Sequence, residues 1–102
     1  MSLLLPFIII FFLFEPSAKA RQVTLEWLPS PSPDLSHYVV YWGTSPGNYT
    51  NDSGYLGLVT TYSVTIPDDG KIYYFSAKAF DETGSSSVFS NEANTGEGSS
   101  NN

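Results

Sequence analysis

Three prolines at alternate positions, Pro29, Pro31 and Pro33, stand between two runs in which apolar and polar residues alternate one by one. Proline has no N–H to donate, so it breaks a helix interior and is barred from the middle of a sheet ladder. The stretch "PSPSPD" is therefore an extended corner, and the runs on either side of it must be separate strands. Before it, Val23, Leu25 and Trp27 share one face, with Thr24 and Glu26 on the other. After it, Tyr38, Val40 and Trp42 line one face, with Val39 and Tyr41 opposite, and Leu35 is expected to tuck beneath the corner. Period two is the signature of a half-buried strand, and no 3.6-residue stripe appears anywhere downstream of Val23.

The rest of the chain keeps that rhythm. "GTSPGNYTNDSG" is dense in turn formers and reads as a loop. Tyr55 to Val59 reads as a short edge strand weakened by Gly57, and Tyr62, Val64 and Ile66 mark the next strand. "PDDG" is a turn, because proline presets φ and glycine accepts positive φ. Within "KIYYFSAKAFD", Tyr73, Phe75, Ala77 and Ala79 share a face, and Val88 to Ala93 supplies a closing strand. Short strands between turns imply an all-β, antiparallel sandwich. Its expected core is Trp27, Tyr38, Val40, Trp42, Tyr73, Phe75 and Phe89.

The ends read differently. Leu3 to Phe14 is an unbroken apolar run, too short for a helix that needs roughly 20 residues to span a bilayer. Ala18 and Ala20 follow it in the small-x-small pattern of a leader cleavage site, so residues 1–20 are expected to be a signal peptide. Only the α-amino group is positive ahead of the run, which leaves an uncleaved anchor or an upstream start as alternatives. Residues 21–94 form the expected domain. Residues 95–102, "TGEGSSNN", have nothing to bury and are expected to be disordered. The reading is of an exported protein: secreted, periplasmic or on the cell surface. Beyond Ala20, three cations face nine carboxylates, the same net charge of −6 as the whole chain. That balance argues against nucleic acid and anionic lipid headgroups, and with the apolar leader removed no membrane insertion is expected. Cysteine is absent, so packing alone must hold the sandwich.

Taken in order, "VTLEW", "HYVVYWGT", "YYFSAKAFDETG" and "SVFSNEA" resemble the second, third, sixth and last strands of a fibronectin type III domain in its bacterial exported form. The resemblance runs from Val23 to about Asn94. It implies an immunoglobulin-like two-sheet Greek key, with a first strand that is short or missing. It also implies a module that binds, adheres or spaces rather than catalyses. Tyr73 falls at that family's corner tyrosine, whose hydroxyl bonds to upstream backbone, but "IPDDGKIY" is one residue longer than the usual turn. No Arg-Gly-Asp occurs, so integrin attachment does not carry over. With residues 1–20 removed, the strand holding Val23 becomes a sheet edge, open to a partner or to self-association.

Few residues carry chemistry. His37 is the only histidine and reads as an exposed turn residue. Ser36, on a regular strand, points away from it. Asp68 and Asp69 are neighbours in a tight turn, where their side chains diverge, whereas acid–base carboxylates need a shared cleft. No D-x-D-x-D-G calcium spacing occurs, and no metal site, cofactor or catalytic residue is expected. The candidate contact groups are aromatic: Tyr41 and Tyr74 on outward strand faces, with Tyr49, Tyr55 and Phe80 in or near loops. Rings on an open sheet bind sugars or proteins, although they also serve as cross-strand packing. The expected function is a non-enzymatic binding, adhesion or spacer module for a protein or glycan. A subunit recruited through its edge strand, or a carbohydrate-binding accessory module, is the alternative.

Overall fold

In a computed structural model, which describes residues 8–13, 20–96 and 98–99, the alternating runs become strands and the proline stretch becomes the corner between two sheets. The strands are β1 (Ile8–Leu13), β2 (Ala20–Trp27), β3 (Leu35–Gly43), β4 (Asn51–Asp52), β5 (Thr61–Pro67), β6 (Tyr74–Asp81), β7 (Ala93–Asn94) and β8 (Gly98–Ser99). One sheet has the order β1-β2-β5 and the other β4-β3-β6-β7-β8. Every pairing is antiparallel, and no helix occurs among the described residues. The chain is an all-β sandwich.

The inner faces are those set by the alternation. Val23, Leu25 and Trp27 of β2 meet Tyr38 and Val40 of β3, Ile66 of β5, and Phe75, Ala77 and Ala79 of β6; Tyr73 and Ala93 complete the cluster. Trp27 and Tyr38 pack edge to face, ring centroids 5.4 Å apart. Trp42 lies partly buried against the same core, 6.2 Å from Phe75 and 6.4 Å from Tyr62. The alanines opposite these large rings let the two layers close. Each large apolar side chain buried here contributes about 1.5–3 kcal/mol.

The corner shows why its residues alternate. Prolines bring no N–H, and the donors between them are met by side chains: Ser30 N–H donates to the buried Tyr38 hydroxyl at 2.8 Å, Ser32 N–H to Ser30 Oγ at 3.4 Å, and Asp34 N–H to Ser32 Oγ at 3.3 Å. A segment that leaves one sheet for the other thus reaches the core without orphaned donors. At the opposite turn, the Tyr73 hydroxyl does not reach upstream backbone. It donates to Asp69 Oδ2 at 2.9 Å, while Asp69 Oδ1 accepts Lys71 N–H at 3.1 Å. The longer turn is closed by a carboxylate that bonds the ring and its own backbone at once.

Two expectations are corrected, the strands at Tyr55 to Val59 and at Val88 to Ala93. Tyr55 to Val59 is loop, not strand, because Gly54 and Gly57 both take left-handed φ, 72° and 73°; the short edge strand is β4, just before it. Val88 to Ala93 is strand only at Ala93. Gly98–Ser99, within the stretch expected to be disordered, pairs with β7 after a turn in which Gly96 N–H donates to Asn94 Oδ1. Ile8–Leu13, within the expected leader, lies along β2 from Leu13↔Gln22 to Ile8↔Trp27. An apolar, β-branched and aromatic hexad has the composition a strand favours. Residues 1–7 and 14–19 of the expected leader, and residues 97 and 100–102 of the tail expected to be disordered, lie outside the described residues.

Candidate functional site

The outer face of the five-stranded sheet is where β3 and β6 turn the residues that the core does not use. Cross-strand partners there are His37↔Phe80, Val39↔Lys78, Tyr41↔Ser76 and Gly43↔Tyr74. An outer face of this kind is usually polar; this one carries two groups of rings.

The first group centres on Phe89. Ala77 and Ala79 are two residues apart on β6, but the segments they bond, Ser87 and Ser90, are three apart. Ser87 N–H donates to Ala79 carbonyl and Ser90 N–H to Ala77 carbonyl, both at 2.8 Å. In return Ala79 N–H donates to Ser87 Oγ at 3.0 Å and Ala77 N–H to Ser90 Oγ at 2.9 Å. Two serine hydroxyls stand in for strand carbonyls, and the extra residue bulges. The bulge throws Val88 and Phe89 outward, 74% and 43% exposed. Phe89 is thus not a core residue, as strict alternation counted back from Ala93 implies. Its ring meets Tyr41 at 5.3 Å and Tyr49 at 5.2 Å, both edge to face, and Lys78 Nζ lies 4.4 Å from its centroid. Two adjacent bulky apolar residues between serines were the available signal, since neighbours on a strand cannot both face inward.

Tyr49 is fixed from the far side. Its hydroxyl donates to Glu92 Oε2 at 2.5 Å, and the same oxygen accepts Gly47 N–H at 2.8 Å. This carboxylate ties the β3–β4 loop to the segment after the bulge. Burial, and then the bond to Glu92, push the Tyr49 hydroxyl well above its ordinary pKa. Burial, with Asp52 adding to it, raises Tyr41 in the same direction, so both phenols stay neutral at physiological pH.

The second group is a stack. His37 lies between Tyr55, at 4.3 Å and 20°, and Phe80, at 4.7 Å and 2°. His37 is therefore a partly buried strand residue rather than an exposed turn histidine. The β3–β6 register shifts between Leu35 and His37, which brings the Ser36 hydroxyl 3.0 Å from His37 Nδ1 instead of pointing it away. Both faces of the imidazole are covered by rings, and among the described residues no carboxylate bonds to it. No cluster of three His, Asp or Glu side chains able to hold a metal occurs among the described residues. Asp81 is turned to its own loop, accepting Thr83 N–H, Thr83 Oγ1–H and Ser85 N–H.

Of the five aromatic candidates, then, Tyr41 and Tyr49 come together around Phe89, and Tyr55 and Phe80 come together around His37. Tyr74 lies on the same face beyond Tyr41 and makes no ring contact among the described residues. Tyr55, at 70% exposed, presents the open end of its stack.

Comparison with known proteins yields fold relatives. No family model matches the chain, and no curated protein does. Among solved structures, an Fn3-like protein from Clostridium thermocellum superimposes with a TM-score of 0.69 at 21% identity, covering 92% of this chain and 92% of that one. Pectate lyase PelI from Erwinia chrysanthemi in complex with tetragalacturonic acid superimposes with a TM-score of 0.63 at 14% identity, covering 89% of this chain but only 29% of the lyase. A second PelI structure gives 0.59 at 16% identity. The chain has a fibronectin type III-like fold.

Proposed function

We propose that the chain is an exported, non-enzymatic binding module that meets a glycan or protein through the ring-bearing outer face of its five-stranded sheet. The observation that supports this reading is the bulge at Val88–Phe89. The core is already filled by Trp27, Tyr38 and Phe75, yet Val88 and Phe89 are held at the surface, Phe89 beside Tyr41 and Tyr49. Rings presented this way offer contact area at small entropic cost. Carboxylates at Asp52 and Glu92 beside the rings, and the net charge of −6, favour a neutral or basic ligand over a polyanion.

The experiment is a glycan array and an envelope-protein capture, each run with the wild type, Tyr41→Ala and Phe89→Ala. Binding that disappears in both variants while their melting temperatures stay near wild type supports the reading. Binding that survives both substitutions, or none to any glycan or protein, refutes it.

A further inference from the structure

We propose that the outer edge of β2 is an exchangeable strand-acceptor site, fitted to an extended apolar strand of about six residues donated by a partner protein. This surface is separate from the ring-bearing face and does not depend on it.

Three observations carry the proposal. First, β1 pairs with β2 without a break from Gln22 to Trp27, while β5 takes the other edge from Ala20 to Glu26. When β1 is absent, half of the N–H and C=O groups between Gln22 and Trp27 lose their acceptors and donors. Second, β1 also lies against β7 and β8 of the other sheet. It closes the seam between the layers, so its departure opens a groove and not merely an edge. Third, the strand that fits, "IIIFFL", contains no charge, proline or glycine, and it is part of the same apolar run that reads as an export leader. The two uses exclude each other: cleavage after Ala20 removes the strand that the fold uses. β2 itself has no proline and, between Gln22 and Trp27, only Glu26 as a charge, so its edge has little built-in protection against pairing. The occupant is defined by the strand seen there: antiparallel, apolar and β-branched or aromatic.

The test keeps the full chain. A specific protease site is placed within residues 14–19, the protein is folded, and the site is then cut. A fluorescent peptide with the sequence of Ile8–Leu13, flanked by lysines for solubility, is added to cut and uncut protein. The proposal expects the peptide to bind cut protein alone, to displace the severed segment, and to restore amide protection from Gln22 to Trp27. A peptide with lysine at Ile10 and Phe12, the positions in register with the core residues Leu25 and Val23, should bind at least about tenfold more weakly. If loss of the segment unfolds the protein, refolding on peptide addition supports the proposal equally. Cut protein that neither releases its segment nor takes up peptide, or that keeps its fold without binding it, overturns the proposal. Cut protein that dimerises in preference to binding peptide overturns the assigned occupant in favour of a second copy.

Discussion

Replacing Tyr38 with phenylalanine isolates one bond. The ring is almost wholly buried and stays in place, edge to face with Trp27, so no cavity forms. What leaves is the hydroxyl that accepts Ser30 N–H at 2.8 Å, in a buried setting flanked by prolines that offer no alternative partner. A buried donor left without an acceptor costs about 1–3 kcal/mol, more than the net worth of an average hydrogen bond. For a domain of this size each kcal/mol moves the melting temperature by roughly 4–8 °C, so Tyr38→Phe should melt about 4–24 °C below wild type. Thermal unfolding followed by circular dichroism reads this directly. Tyr55→Phe is the control, because its exposed hydroxyl makes no hydrogen bond among the described residues; it should stay within about 0.5 kcal/mol of wild type. If Tyr38→Phe melts together with Tyr55→Phe, the hydroxyl does not anchor the proline corner.

Other expectations follow from single contacts. Trp27→Ala should cost about 3–5 kcal/mol as a large-to-small core change, measured by denaturant unfolding; a loss below about 1 kcal/mol would place the indole outside the core. Ser90→Ala removes the hydroxyl that accepts Ala77 N–H, and should cost about 1–3 kcal/mol; an unchanged midpoint would mean that water or a straightened strand replaces it. Acid should weaken the fold through Asp69 and Asp81. Asp69 is held below its ordinary pKa of 3.8 chiefly by Lys71 N–H, and Asp81 chiefly by the Thr83 hydroxyl. Depressed folded values mean that the stability these groups contribute is present above about pH 4 and is lost as pH falls through the folded values. Asp69→Asn combined with Asp81→Asn should flatten the fall in melting temperature below pH 4, and an undiminished fall would assign it to other carboxylates.

How much of this was readable beforehand depended on whether the backbone kept its period. Along β2, β3 and β6 it does, and Val23, Leu25, Trp27, Tyr38, Val40, Phe75, Ala77 and Ala79 are all buried as alternation requires. Where a residue is inserted, alternation misleads. The bulge at Val88–Phe89 moves Phe89 from the expected core to the surface, and the register shift at Ser36 turns its hydroxyl toward His37. Neither insertion has a strong local signature, since serine is common in turns and its hydroxyl can imitate a carbonyl only once the partner strand is in place. Outward strand positions mark Tyr41 and Tyr74, and loop positions mark Tyr49, Tyr55 and Phe80, but their grouping around Phe89 and His37 depends on contacts between segments far apart in sequence. The leader-like run posed another difficulty: "IIIFFL" satisfies both a leader and a strand, and composition cannot separate them.

The account rests on the outward rings being a contact surface and not merely packing for the sheet beneath them. The direct measurement is the dissociation constant of Phe89→Ala, beside its melting temperature, for the tightest ligand found by array or capture. The account predicts affinity at least about tenfold weaker, or about 1.4 kcal/mol, with melting changed little because the side chain lies outside the core. Unchanged affinity, or a melting drop as large as that of Trp27→Ala, would contradict it.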